Sequence, residues 1–133
     1  MPITPEIKQA IFNKLKGALE QCCPPMVVPK KNFGRQDAFE LIGNIPVPYG
    51  STKKIVPGMF FVSIVPGKDM VSFHFFPIYM NKEAFKDLAP LTMKYLKGKS
   101  CFNFSKVEQV NEKEIEALLK KGVAVWKKLG YVK

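Results

Sequence analysis

His74 is the only histidine in the chain, and it sits in the run VSFHFF with no acidic residue close to it in sequence. General acid–base catalysis wants a histidine, or two carboxylates whose pKa values are pushed apart. The eleven acidic residues are scattered. Glu112 and Glu116 stand four apart, but Lys113 and Lys120 offer them ordinary partners on a helix surface. Nucleophilic chemistry is no better supplied. There is no GxSxG, and Cys101 has neither a helix N-terminus nor a histidine beside it in sequence to lower its pKa. A metal or redox site drawn from Cys22, Cys23, Cys101 and His74 lacks any CxxC or HxxxH spacing, and side chains of adjacent residues splay apart. The three cysteines therefore read as small hydrophobes of a reducing compartment, with no metal or cofactor implied. KGK at 97–99 and VPG at 56–58 match no phosphate-binding loop. Nothing here names a reaction, and the expectation is a protein that is not an enzyme.

Charge offers a second line. The formal net charge is +10, which raises the weight of an anionic partner. Arg35 is the only arginine among 21 basic residues, so the planar fork that reads guanine and phosphate is nearly missing. Lys113, Lys120 and Lys127 recur every seven residues, with Lys121 and Lys128 beside them, on the polar flank of a final helix. With Lys97 and Lys99 they outline a basic face: Lys97, Lys99, Lys120, Lys121, Lys127 and Lys128. Tyr95, Phe102 and Phe104 interleave with part of it, a composition suited to single-stranded nucleic acid. The alternation of Phe102 and Phe104 serves a core equally well, and a solvated lysine surface is the reading preferred over nucleic-acid binding.

The elements that would position these groups follow from pattern and punctuation. At 133 residues and 47% hydrophobic, the chain is sized for one α+β domain spanning 1–133. Thr4, Pro5 and Glu6 are a helix start, and Ile7, Ile11, Leu15, Ala18, Leu19 and Cys22 draw one apolar stripe before Pro24 and Pro25 stop it. Residues 26–57 are irregular: 26–28 suits the start of a strand, 37–42 a strand or a helical turn, and NIPVPYGSTKKIVPG a Pro-rich loop. MFFVSIV, PGKD and MVSFHFFP form a hairpin with Val65 opposite Met70. Phe60, Val62, Ile64, Val71, Phe73 and Phe75 then share a core face. Phe61, Ser63, Ser72, His74 and Phe76 share a mixed one. Short helices over 81–89 and from Pro90, a short strand CFNFSKV, and a long helix opened by Asn111 and Glu114 and closed by Gly130 complete the chain. The class is an antiparallel sheet on a central hairpin, packed by an N-terminal helix, short central helices and a long C-terminal helix. No apolar run approaches the length of a bilayer, and the opening residues lack the character of a signal peptide. A cytoplasmic location is expected.

The stretch VSFHFFPIYMNKEAFKDLAPLTMKYLKGKSCFNFSKVEQVNEKEIEALLKKGV resembles the YdhG-like family of bacterial domains of unknown function. An aromatic strand, a helix, a turn like LKGKSCFNF, a polar spacer and an amphipathic terminal helix carry the likeness. One branch of that family is regarded as a frataxin-like iron chaperone, so the resemblance also implies iron delivery. Such a role needs clustered hard oxygen ligands, which Glu108, Glu112 and Glu116 would have to supply.

Three functions remain. The preferred one is a non-enzymatic domain holding a small ligand or protein partner in an apolar pocket lined by Phe61, Ser72, His74, Tyr79 and Tyr95. The others are the iron chaperone and the binder of an anionic partner through the lysine face.

Overall fold

The computed structural model describes residues 3–32 and 36–133; Arg35 lies outside them. The first helix, α1 (Pro5–Glu20), begins where the Thr4 hydroxyl accepts the Ile7 N–H at 3.1 Å, and it buries Ile11, Leu15, Ala18 and Leu19. The last helix, α3 (Glu112–Leu129), begins where Asn111 Oδ1 accepts the Glu114 N–H at 3.1 Å. It closes on Gly130, whose φ of +83° is the left-handed conformation a side chain would resist. Ile115, Leu118, Leu119, Gly122 and Trp126 form its buried stripe.

Between the helices lie the strands β1 (Phe39–Ile42), β2 (Val47–Tyr49), β3 (Lys54–Val56), β4 (Phe60–Pro66), β5 (Val71–Phe75), β6 (Leu96–Lys97) and β7 (Cys101–Phe104). Five of them make one antiparallel sheet in the order β1-β4-β5-β7-β6, so the class is α+β as read. The central hairpin is displaced by two residues from the expected register. Val65 pairs with Ser72 rather than Met70, and Gly67 N–H closes the turn on Met70 O at 2.8 Å. A shift of two leaves every side chain on its own face, which is why the core face survives.

One residue does change face. Leu41 pairs with Val62 but Ile42 pairs with Phe60, so Phe61 is the extra residue of a β-bulge. Its ring turns under the helices, fully buried, 5.8 Å from Phe75 and 5.6 Å from Trp126. The expected placement of Phe61 beside Ser72 and His74 is thereby corrected, and Phe60 is left half-buried against Phe76.

Two further expectations are revised. The segment read as loop contains the paired strands β2 and β3, turned at Gly50 with Lys53 at φ +54°. The prolines are compatible because a two-stranded ribbon leaves one side of each strand unpaired. Phe76 opens a short helix, α2 (Phe76–Met80), instead of extending β5, and the helix expected over 81–89 is reduced to a 3-10 turn at Lys82–Ala84.

The buried side chains form one cluster to which α1, α3 and the covered face of the sheet all contribute. Gly122 marks its tightest helix contact. A Cβ there would stand 2.8 Å from Phe75 and 2.9 Å from Phe61, so only glycine lets α3 seat on these rings. Among the described residues, no helix is long and apolar enough to cross a membrane.

Candidate functional site

The strand ladder decides which polar groups meet. On the face of the sheet turned away from α1 and α3, Glu40, Ser63, His74, Cys101 and Lys97 stand in one cross-strand row, and Val65, Ser72 and Asn103 in the next. His74 and Cys101 are directly opposed, with Cys101 Sγ 3.8 Å from His74 Nε2. Asn103 Oδ1 accepts from the Ser72 hydroxyl at 2.8 Å and from the Cys101 thiol at 3.2 Å. Burial holds the His74 imidazole below its usual range, and pushes the Cys101 thiol up against a smaller opposing pull from the Ser72 hydroxyl. At neutral pH the pair is a thiol and a neutral imidazole, not the thiolate–imidazolium pair of an activated nucleophile.

The other residues expected to line a pocket are elsewhere. Phe61 is in the core. Tyr95 is half-buried with its ring 5.6 Å from Phe104, whose side chain belongs to the helix-covered face. Tyr79, on α2, is 53% exposed; it stacks on Phe76 at 5.7 Å, and Lys99 Nζ lies 5.5 Å from its ring centre. Of the five, the structure brings only Ser72 and His74 onto a common face.

A cavity lies between the two long helices. The C-terminal turn of α1 and the Pro24–Pro25 corner face the middle of α3 across a recess of about 520 Å³, within the usual range for a small-molecule site. Ala18, Cys22, Pro25, Leu119 and Val123 supply apolar surface, and Lys120, Lys127 and Glu116 stand along the α3 wall. The Cys22 thiol is pushed up to about 12, by burial first and then by its neighbour Cys23, so it lines the recess as an uncharged side chain. A wider recess of about 660 Å³ runs past Val27, Val28, Ile42 and Pro57 to Asn32.

The basic face divides. Lys120, Lys121, Lys127 and Lys128 are all exposed on α3, whereas Lys97 ends β6 and Lys99 lies in the turn between β6 and β7. Glu112 reaches Lys14 of α1 at 3.8 Å, Glu116 faces the recess, and Glu108 lies in a separate 3-10 turn. Among the described residues, no three His, Cys, Asp or Glu side chains are grouped to hold a metal ion. Glu114 has a structural task that its place after Asn111 only half discloses. Its carboxylate accepts from Thr92 N at 2.7 Å, Thr92 Oγ1 at 2.7 Å and Leu91 N at 3.2 Å, tying α3 to the turn before β6. Burial opposes ionisation of Glu114, but these bonds outweigh it and hold the carboxyl below its ordinary value.

Sequence reasoning missed two things here. The His74–Cys101 contact spans 27 positions and becomes visible only through the β5–β7 register. The recess depends on how α1 and α3 approach each other, which neither helix pattern specifies. No family model, curated protein or solved structure matches the chain.

Proposed function

We propose that the chain is a non-enzymatic binding domain that takes a small amphipathic anion in the recess between α1 and α3. One observation carries the reading: Lys120 and Lys127, two turns apart on α3, border a cavity whose surface is mainly apolar. An alkyl or aromatic body fits the floor formed by Ala18, Cys22, Leu119 and Val123, and a carboxylate or phosphate head meets the two ammonium groups. Both walls are long helices, which hold side chains more firmly than loops do. The recess sets two of the expected lysines, Lys120 and Lys127, beside apolar surface, though none of the residues expected to line a pocket borders it.

A fatty acid such as dodecanoate tests this. At a hundredfold excess over its Kd, a ligand of the folded state adds about 2.7 kcal/mol to stability, readily seen as a rise in Tm. The rise is expected in the wild type, and is expected to vanish in Val123→Glu and to weaken in Lys120→Glu/Lys127→Glu. Stabilisation that persists in both variants would overturn the reading.

A second reading rests on the exposure of Lys113, Lys120, Lys121, Lys127 and Lys128 along one helix. They support attraction of a polyanion, which would show as heparin retention falling steeply with salt. The proposed kinship with YdhG-like domains is compatible with either. Iron delivery lacks a grouped set of hard ligands among the described residues.

A further inference from the structure

Cys101 and His74 project from adjacent strands at paired positions, so their separation is set by the sheet and not by a loop. Cys101 Sγ and His74 Nε2 are 3.8 Å apart, close to the span of a zinc-type ion bonded to both: with Zn–S of about 2.3 Å and Zn–N of about 2.0 Å, that span corresponds to an angle of roughly 120°. Asn103 Oδ1 lies 3.2 Å from the sulfur on the same face, available as a third, oxygen donor. The Ser72 hydroxyl donates to that oxygen at 2.8 Å and fixes the orientation of the amide. All four side chains are half-buried, and a water would supply the fourth ligand.

We infer that Cys101, His74 and Asn103 form a mononuclear site for a thiophilic divalent cation of the zinc type. The site is distinct from the recess between α1 and α3 and does not depend on its occupant. A thiolate and an imidazole are the donors such ions prefer, and the set differs from the carboxylates that iron handling would use. On binding, the Cys101 S–H bond breaks and its proton passes to solvent. Metal–thiolate and metal–Nε2 bonds form, and no electron changes hands. Lys97, paired with Cys101 across the β6–β7 ladder, brings a positive charge to the rim and opposes the cation. Two strong protein ligands and that lysine make the site an exchangeable one rather than a structural staple.

Cobalt(II) added to the fully reduced chain provides the readout. A thiolate-to-cobalt charge-transfer band is expected to saturate at one ion per chain, with about one proton released per ion bound. Cys101→Ser and His74→Gln are each expected to abolish it at the same cobalt concentration. Ser72→Ala should weaken binding about tenfold, as loss of a group orienting a ligand does, and Lys97→Gln should tighten it. The band is expected to persist in the double variant Cys22→Ala/Cys23→Ala. Should that variant fail to fold, the response of the wild type to Cys101→Ser decides the matter alone. No band, a band surviving Cys101→Ser, or one ion per two chains would overturn the inference.

Discussion

On the helix-covered face of the sheet, Val62, Ile64, Phe73, Phe75, Phe102 and Phe104 are fully buried. Their immediate chain neighbours Ser63, Ser72, His74, Cys101 and Asn103 point the other way and are polar or weakly polar. A single step along a strand separates the groups that hold the fold from those that carry chemistry. The covered face is interlocked: the rings of Phe61, Phe73, Phe75 and Phe85 meet at centroid distances of 5.3 to 5.9 Å. The reverse face carries a smaller polar network, in which Ser72, Asn103, Cys101 and His74 are linked, with Glu40 and Ser63 buried beside it. The division teaches that stability and binding can be perturbed separately here, and the variants below are ordered by how strongly they do so.

Phe75→Ala strikes the covered face hardest. It removes a ring in contact with Phe61, Phe73 and Phe85, and a loss of about 3–5 kcal/mol is expected in urea or guanidinium unfolding. Gly122→Ala comes next. Its methyl group meets the Phe75 and Phe61 rings at 2.8 and 2.9 Å, and overpacking exceeds the gain in helix propensity, for a net loss of about 1–2 kcal/mol. A Gly122→Ala chain as stable as the wild type would show that α3 can shift on the rings, and the interlocking argument would fall.

Glu114→Gln tests the tie between α3 and the turn before β6. About 1 kcal/mol is expected from weakened charge-assisted hydrogen bonds, a figure kept low because the carboxylate is partly solvated. The pH dependence has a definite sign. The folded carboxyl is held below the unfolded value of about 4.5, so its contribution is present above that value and fades as the folded group protonates in more acid solution. The wild type should therefore lose more stability than Glu114→Gln as pH falls below about 4.5. Parallel acid profiles would contradict this.

The smallest effect belongs to the reverse face. His74→Gln should change stability by only about 0.5 kcal/mol, because the imidazole is half-buried and its one side-chain contact, with Cys101, is long. A cost comparable to that of Phe75→Ala would erase the distinction between the two faces.

Much of the covered face was legible in the sequence, because burial imposes a period on apolar residues. The Thr4 and Asn111 caps, the Gly130 stop and the 71–75 alternation were each local signals, and each is realised. Phe61 escaped because a bulge breaks the period by one residue, and nothing in MFFVSIV marks where Ile42 slips past Leu41 in its pairing. The β2–β3 ribbon escaped because its strands are three residues each, too short for alternation to outweigh the prolines. Glu114 was legible as a helix-start residue, but its partners Leu91 and Thr92 lie more than twenty positions away. The lysines of α3 were placed correctly on its exposed flank. That two of them border a cavity depends on the crossing of α1 and α3, a tertiary property with no signature in either helix.

Amide and methyl chemical-shift mapping with dodecanoate tests the central proposal most directly, because it locates the ligand on one region or the other. Shifts should gather at Ala18, Cys22, Leu119, Lys120, Val123 and Lys127, with His74, Cys101 and Asn103 unmoved at saturation. Shifts gathered on the reverse face of the sheet, or none at ligand concentrations near its solubility limit, would contradict binding between the helices.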